Sequence, residues 1–139
     1  MFKGIVFDFN GVLWWDGHLH VEAWQYWSNA LRGRGISDNE IAIHMHGRTK
    51  QHVFSYLMGR EVQGEELLKF IDQKESFCRE LCLAQGELFT LSPGSVDLLG
   101  FLAALQIPRT VATASELTNL DFFVTHVGLA KWFHIPDIV

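Results

Sequence analysis

Val6-Phe7-Asp8-Phe9-Asn10-Gly11-Val12-Leu13 decides the reading of this chain. Ile5, Val6 and Phe7 form a short continuous apolar run, the pattern of a parallel strand buried on both faces. The spacing predicts a strand over Phe2 to Phe9, and Asn10-Gly11 breaks it with a turn. Asp8 therefore falls at the C-terminal end of a strand, where open α/β sheets place their ligands. Gly11 lets the backbone turn tightly there, and the turn is expected to aim amide N–H groups at an anion site. A carboxylate so placed can attack phosphorus, and it can also hold Mg²⁺, which prefers hard oxygens. On these residues alone, a simple turn opened by Asp8 and Asn10 is an equal alternative.

Outward from this loop the periodicity changes. From about His20 to Gly86 it is helical, with Val21, Trp24, Trp27, Ala30 and Leu31 on one face. Gly33 and Gly35 end that helix, and Ser37-Asp38-Asn39-Glu40 offers a capping box for the next. Arg48 to Leu57 and Glu65 to Leu83 read as further helices, with Gly47, Gly59 and Gly64 at their ends. Ser92 is expected to cap another helix, with Pro93 at its first position. Thr110 to Ala112 is a second apolar strand, ending in Thr113-Ala114-Ser115, where a small hydroxyl can bond a phosphate oxygen. Ser115 or Thr118 capping the next helix is the competing reading. That helix runs from Leu117 to Val127 and stops at Gly128, and Ile135 to Val139 looks like the opening of a third strand. The order predicts an α/β fold: a Rossmann-like parallel sheet core, incomplete, over residues 1–15 and 86–139, with an inserted all-α cap over residues 16–85.

Composition agrees with a globular protein of 139 residues, 48% hydrophobic and 19% charged. The net charge of −5 and the lack of a basic patch argue against a nucleic-acid partner. No apolar run approaches the roughly 20 residues of a membrane span, and no signal peptide is evident, so a cytoplasmic location is expected. Cys78 and Cys82, four apart on a helix, read as reduced helix residues. His44, His46 and His52 cluster in sequence, with His18 near His20, but no carboxylate or cysteine completes a transition-metal ligand set.

Taken together, the Asp-x-Asn-Gly loop and the strand ending in Thr113 resemble the signatures of the haloacid dehalogenase-like (HAD) superfamily. Asp16, His20 and Trp24, then Gly47-Arg48-Thr49, Ser92-Pro93-Gly94, and Ser115 with Asn119 extend the resemblance to its β-phosphoglucomutase-like branch with a helical cap. The resemblance implies Asp8 as nucleophile and Mg²⁺ ligand, the Asn10 carbonyl as a second Mg²⁺ ligand, and Thr113 holding the transferring phosphoryl group. It implies substrate contacts from Gly11, His20, Trp24, Gly47, Arg48, Thr49, Ala114, Ser115 and Asn119. Arg48, a rigid fork of donors, would grip a substrate phosphate.

Two departures qualify this. The family's second aspartate, which shuttles a proton, is Asn10, and an amide cannot do that work. His20 is a candidate substitute. The family's later lysine and acidic pair would follow the third strand, so the chain is expected to be a truncated or partial form of a longer enzyme. Lys131 does not take the lysine's place. The expected function is phosphoryl transfer on a small phosphorylated metabolite, such as a sugar phosphate, through an aspartyl-phosphate on Asp8. Phosphatase and phosphoglucomutase types are both open, and a monomer is expected if the chain is full-length. The alternative is a non-catalytic phosphate-binding or interaction domain.

Overall fold

The structure is a computed structural model that describes residues 3–139; the expected strand start at Phe2 lies outside the described residues. Two compact units divide the chain. One comprises the segment ending at Gly17 together with Cys82–Val139, and the other comprises His18–Leu81.

The first unit carries a parallel pair of strands, β1 (Ile5–Phe7) and β2 (Arg109–Val111). They run in register Ile5↔Arg109, Val6↔Thr110 and Phe7↔Val111. Gly4 permits their approach, because a Cβ there would meet the Pro108 carbonyl oxygen at 2.9 Å. The flanking helices are α5 (Ser95–Ala104) and α6 (Leu117–Val127). Phe9 packs against Phe123 with ring centroids 4.6 Å apart, and Trp14 against Phe89 at 5.1 Å. Leu99, Val111 and Leu129 are fully buried in the same unit.

Three expectations change here. β1 is not buried on both faces, for Val6 is 64% exposed while Phe7 turns toward Phe133; a two-stranded ribbon has only one packed face to offer. Ser92 does not cap α5, which starts at Ser95 with Gly94 as its left-handed N-cap residue. The Ser92 hydroxyl is used instead by the Val12 carbonyl and the Ser95 hydroxyl, both at 2.7 Å. Finally, Ile135–Asp137 is a 3₁₀ turn rather than a strand opening, and Val139 makes the backbone bonds to β2 and the residues after it. Its N–H donates to the Val111 carbonyl at 3.0 Å, and its carbonyl accepts from the Thr113 N–H at 2.7 Å.

The second unit is helical. It contains most of α1 (Gly17–Arg32), all of α2 (Asp38–His44) and α3 (Lys50–Met58), and most of α4 (Gly64–Ala84). The capping box forms as expected, with Glu40 N–H bonded to the Ser37 hydroxyl and Glu40 Oε2 accepting the Ser37 N–H. α3 begins two residues later than expected, because Thr49 is its cap and accepts the His52 N–H. Trp24, Trp27, Phe54 and Leu57 belong to the unit's core, and the charged side chains of Lys74 and Glu75 are buried as well. Lys74, 2% exposed, sits 5.2 Å over the Trp24 ring, bonds His20 Nδ1 at 2.8 Å and pairs with Glu75 at 3.1 Å. Among the described residues, no helix is long and apolar enough to cross a membrane.

Candidate functional site

Asp8 follows β1 directly, and Thr113 follows β2 by two residues. Because the strands are parallel and in register, both side chains come to the same end of the sheet. They share an open depression of about 520 Å³ with Val6, Phe7, Ala112, Ala114 and Val139. Among the described residues that line it, Asp8 is the only charged side chain.

The loop after β1 is fixed by its own backbone. The Phe9 carbonyl accepts the N–H groups of Val12 and Trp14, and the Gly11 N–H donates to the Trp14 carbonyl at 2.7 Å. Gly11 sits at φ +76°, a left-handed conformation that glycine adopts without strain. The sequence led us to expect turn amides aimed at an anion. The structure spends those of Gly11 and Val12 on the turn itself. The Phe9 N–H is also committed, at 2.7 Å, to Asp8 Oδ1. That bond leaves Oδ2 as the Asp8 oxygen not held by it.

Asn10 connects the two loops. Its Oδ1 accepts from the Ser115 hydroxyl at 2.7 Å and from the Thr113 hydroxyl at 3.5 Å. Its Nδ2 donates to Asp16 Oδ2 at 2.5 Å. Ser115 N–H bonds Thr113 Oγ1 at 3.1 Å. The Ser115 hydroxyl therefore does not cap α6, whose N-cap residue is Glu116, with no capping bond from its side chain. Asp16 is 5% exposed and was singled out in the sequence only as part of a family pattern; its pairing with Asn10 was not anticipated. Nothing in the local spacing announces it, since the two are six residues apart across a turn.

Of the expected site residues, the structure thus brings together Asp8, Asn10, Gly11, Thr113, Ala114 and Ser115 in the first unit. Asn119 lies in the same unit, buried in the first turn of α6. His20, Trp24, Gly47, Arg48 and Thr49 belong to the second unit. There Trp24 is a core residue, and Thr49 is the α3 cap. Arg48 is exposed, with its Nε donating to the Ile43 carbonyl at 3.2 Å. His20 is engaged by Lys74. Lys74 itself was missed. The available signal was a lysine at a stripe position of α4, with Phe70 four residues before it and Cys78 four after.

The oxygen donors at the strand end suit a hard cation in kind. Mg²⁺ commonly takes one or two carboxylates and fills its shell with water and substrate phosphate. Among the described residues no group of three or more His, Cys, Asp or Glu forms a metal cage.

The sequence pattern of the haloacid dehalogenase-like hydrolases matches residues 2–138. A comparison with curated proteins gave no match. Among solved structures, similarity extends to an HAD hydrolase of family IA, variant 3, from Entamoeba histolytica, at 30% identity and a TM-score of 0.91. That alignment covers 99% of this chain and 60% of the other. A β-phosphoglucomutase from Clostridium difficile matches at 19% identity and TM-score 0.70, over 99% of this chain and 60% of that one. CbbY from Rhodobacter sphaeroides, solved with phosphate, matches at 20% and 0.72, over 99% and 62%. An aspartate-to-asparagine mutant of the same CbbY was solved with xylulose-(1,5)bisphosphate. At such identities the phosphoglucomutase and both CbbY structures speak for the fold alone. The chain spans about 60% of the length of these structures. With its pattern matched across residues 2–138, a parallel core and a helical unit between its strands, the chain belongs to the haloacid dehalogenase-like hydrolase family.

Proposed function

We propose that Asp8 is the nucleophile of a phosphoryl-transfer site that acts on a small phosphorylated metabolite, of the sugar-phosphate class. One observation carries the reading: Asp8 and the Thr113 hydroxyl meet at the same end of a parallel strand pair, in one open depression. The names of the related structures, a phosphoglucomutase and a CbbY solved with phosphate, support the substrate class. In the first step Asp8 Oδ2 bonds phosphorus. The bond from phosphorus to the substrate oxygen breaks, and that oxygen leaves with the electron pair. The Phe9 N–H on Oδ1 holds the carboxylate in orientation for this attack. Thr113 would donate its hydroxyl proton to a phosphoryl oxygen. Mg²⁺, held by the Asp8 carboxylate and the Asn10 backbone carbonyl, would offset the charge of the phosphate. Arg48 would bind a substrate phosphate with its guanidinium.

A second reading, phosphate binding without turnover, draws on Asn10. The leaving oxygen needs a proton, and an amide in this position has none to exchange. General acid–base help is worth roughly 10² to 10⁴ in rate. Fluoroberyllate with Mg²⁺ tests both readings, observed by ¹⁹F NMR. Wild type should form a slowly exchanging adduct, and Asp8→Ala should form none. An unbound wild type would refute the aspartyl-phosphate reading. Binding without steady-state release of phosphate from sugar phosphates would select the second.

A further inference from the structure

Asn10 stands between partners of opposite character. Asp16 is nearly buried, at 5% exposure, and its Oδ2 takes the Asn10 Nδ2 at 2.5 Å. On the other side the Ser115 and Thr113 hydroxyls donate to Asn10 Oδ1 at 2.7 and 3.5 Å. A carboxylate can only accept, and a hydroxyl has a single proton to give. Asp16 therefore dictates which end of the amide faces the hydroxyls. With the amide oxygen turned to them, their protons are committed to the protein. Thr113 Oγ1 is further engaged as acceptor of the Ser115 N–H at 3.1 Å.

We propose that Asp16 is a positioning residue that acts through Asn10, holding the amide oxygen against Ser115 and Thr113 as a latch. An incoming phosphate must displace Asn10 to reach the hydroxyl protons. The latch rests on the reading of this depression as a phosphate site. It is also distinct from the ordinary reason for an acid at residue 16, which directly precedes α1 and so suits a helix start. A capping role has no connection to Ser115; the latch does, although Asp16 and Ser115 meet only through Asn10.

The test is the affinity for inorganic phosphate with Mg²⁺, by calorimetry, for wild type, Asp16→Asn, Ser115→Ala and the double variant. An amide at position 16 lets Asn10 turn over, which frees the hydroxyls and offers the phosphate an N–H. Asp16→Asn should then bind phosphate about two- to tenfold more tightly, the worth of one neutral hydrogen bond. In the Ser115→Ala background that gain should largely vanish, a coupling that independent sites do not show. Unchanged or weaker binding by Asp16→Asn, or the same gain with and without Ser115, would overturn the latch. If Asp16→Asn does not fold, Asn10→Ala opens the latch from its centre and must show the gain; no gain overturns the proposal. If no form binds phosphate, the phosphate-site reading fails first. The side-chain amide signals of Asn10, identified by their loss in Asn10→Asp, then decide the latch alone. One amide proton should be shifted by the carboxylate in wild type and should return to its ordinary position in Asp16→Asn. Identical spectra would overturn it.

Discussion

Restoring the carboxylate that the family pattern has at position 10 should at first destabilise this protein. Asn10→Asp removes the Nδ2 donor and faces an acid against Asp16 Oδ2, which now lies 2.5 Å from the amide nitrogen. For two charges about 4 Å apart at an effective dielectric of about 20, the repulsion is about 4 kcal/mol. Loop relaxation makes this an upper bound. Such a pair keeps one shared proton, so one carboxyl titrates well above its ordinary range. The sign follows. Between about pH 4, where an unfolded aspartate ionises, and the raised folded value, the folded state binds more protons than the unfolded one. Stability relative to wild type is therefore near normal at low pH and falls as pH rises, over about three pH units. Above that window the full penalty stands. Asn10→Asp combined with Asp16→Asn rebuilds an amide–carboxylate pair in reverse order and should recover most of the loss. Urea denaturation at pH 4, 6 and 8 measures wild type, Asn10→Asp, Asp16→Asn and the double variant. If Asn10→Asp matches wild type at pH 8 and shows the same pH dependence, the contact between Asn10 and Asp16 is not what orients this loop. The double variant also carries the acid where a proton can be exchanged, so any turnover gained by restoring the acid should appear in it without the stability loss.

Lys74→Ala should cost about 2 to 4 kcal/mol in chemical denaturation, because it removes a buried cation from His20, Glu75 and the face of Trp24. Lys50, 3.0 Å from Glu75, keeps that carboxylate from being left unpaired and holds the loss at the lower end. Glu40 is held well below the usual carboxylate range by the Arg32 guanidinium first, then by the Tyr56 hydroxyl, the Ser37 N–H and Arg34. Its contribution to stability is complete above about pH 4 and is lost as pH falls further, so Glu40→Gln should flatten the acid limb of a plot of Tm against pH. Gly11→Ala should lose about 1 kcal/mol from its left-handed φ, with no steric clash to add, read as a shift in the urea midpoint.

The features legible in the sequence were those set by local chemistry. Ser37 and Glu40 sit three apart, and a capping box needs nothing more. Gly128 stops α6 because its left-handed conformation costs glycine little. Asp8 and Thr113 could be placed together because an apolar run followed by a turn marks a strand end, and parallel strands align their ends. What the sequence hid depends on distance along the chain or on competition for one group. Ser92 and Ser115 both looked like caps, yet each hydroxyl has a single proton and found a stronger tertiary claimant, Val12 for one and Asn10 for the other. The exposure of Val6 was hidden for a similar reason, since an apolar run does not report how many strands will flank it. Lys74 broke the stripe of α4 without announcing the histidine and tryptophan that receive it.

The hydrogen bonds of the first loop constrain how an anion is held at Asp8. Amide cradles bind phosphate because their N–H groups are left over by the backbone. Here those of Phe9, Gly11, Val12 and Trp14 are already used within the loop. On the β2 side the Ser115 and Thr113 hydroxyls are turned toward Asn10. The charged residue in the depression, Asp8, repels an anion. A phosphate placed beside Asp8 therefore calls for positive charge to come with it, which is the work a divalent cation does between a carboxylate and a phosphate. The amide at position 10 fits the same logic. An aspartate there would add a second negative charge beside Asp8 and face Asp16 as well, whereas asparagine satisfies Asp16 and keeps the loop closed, at the cost of the proton that turnover requires.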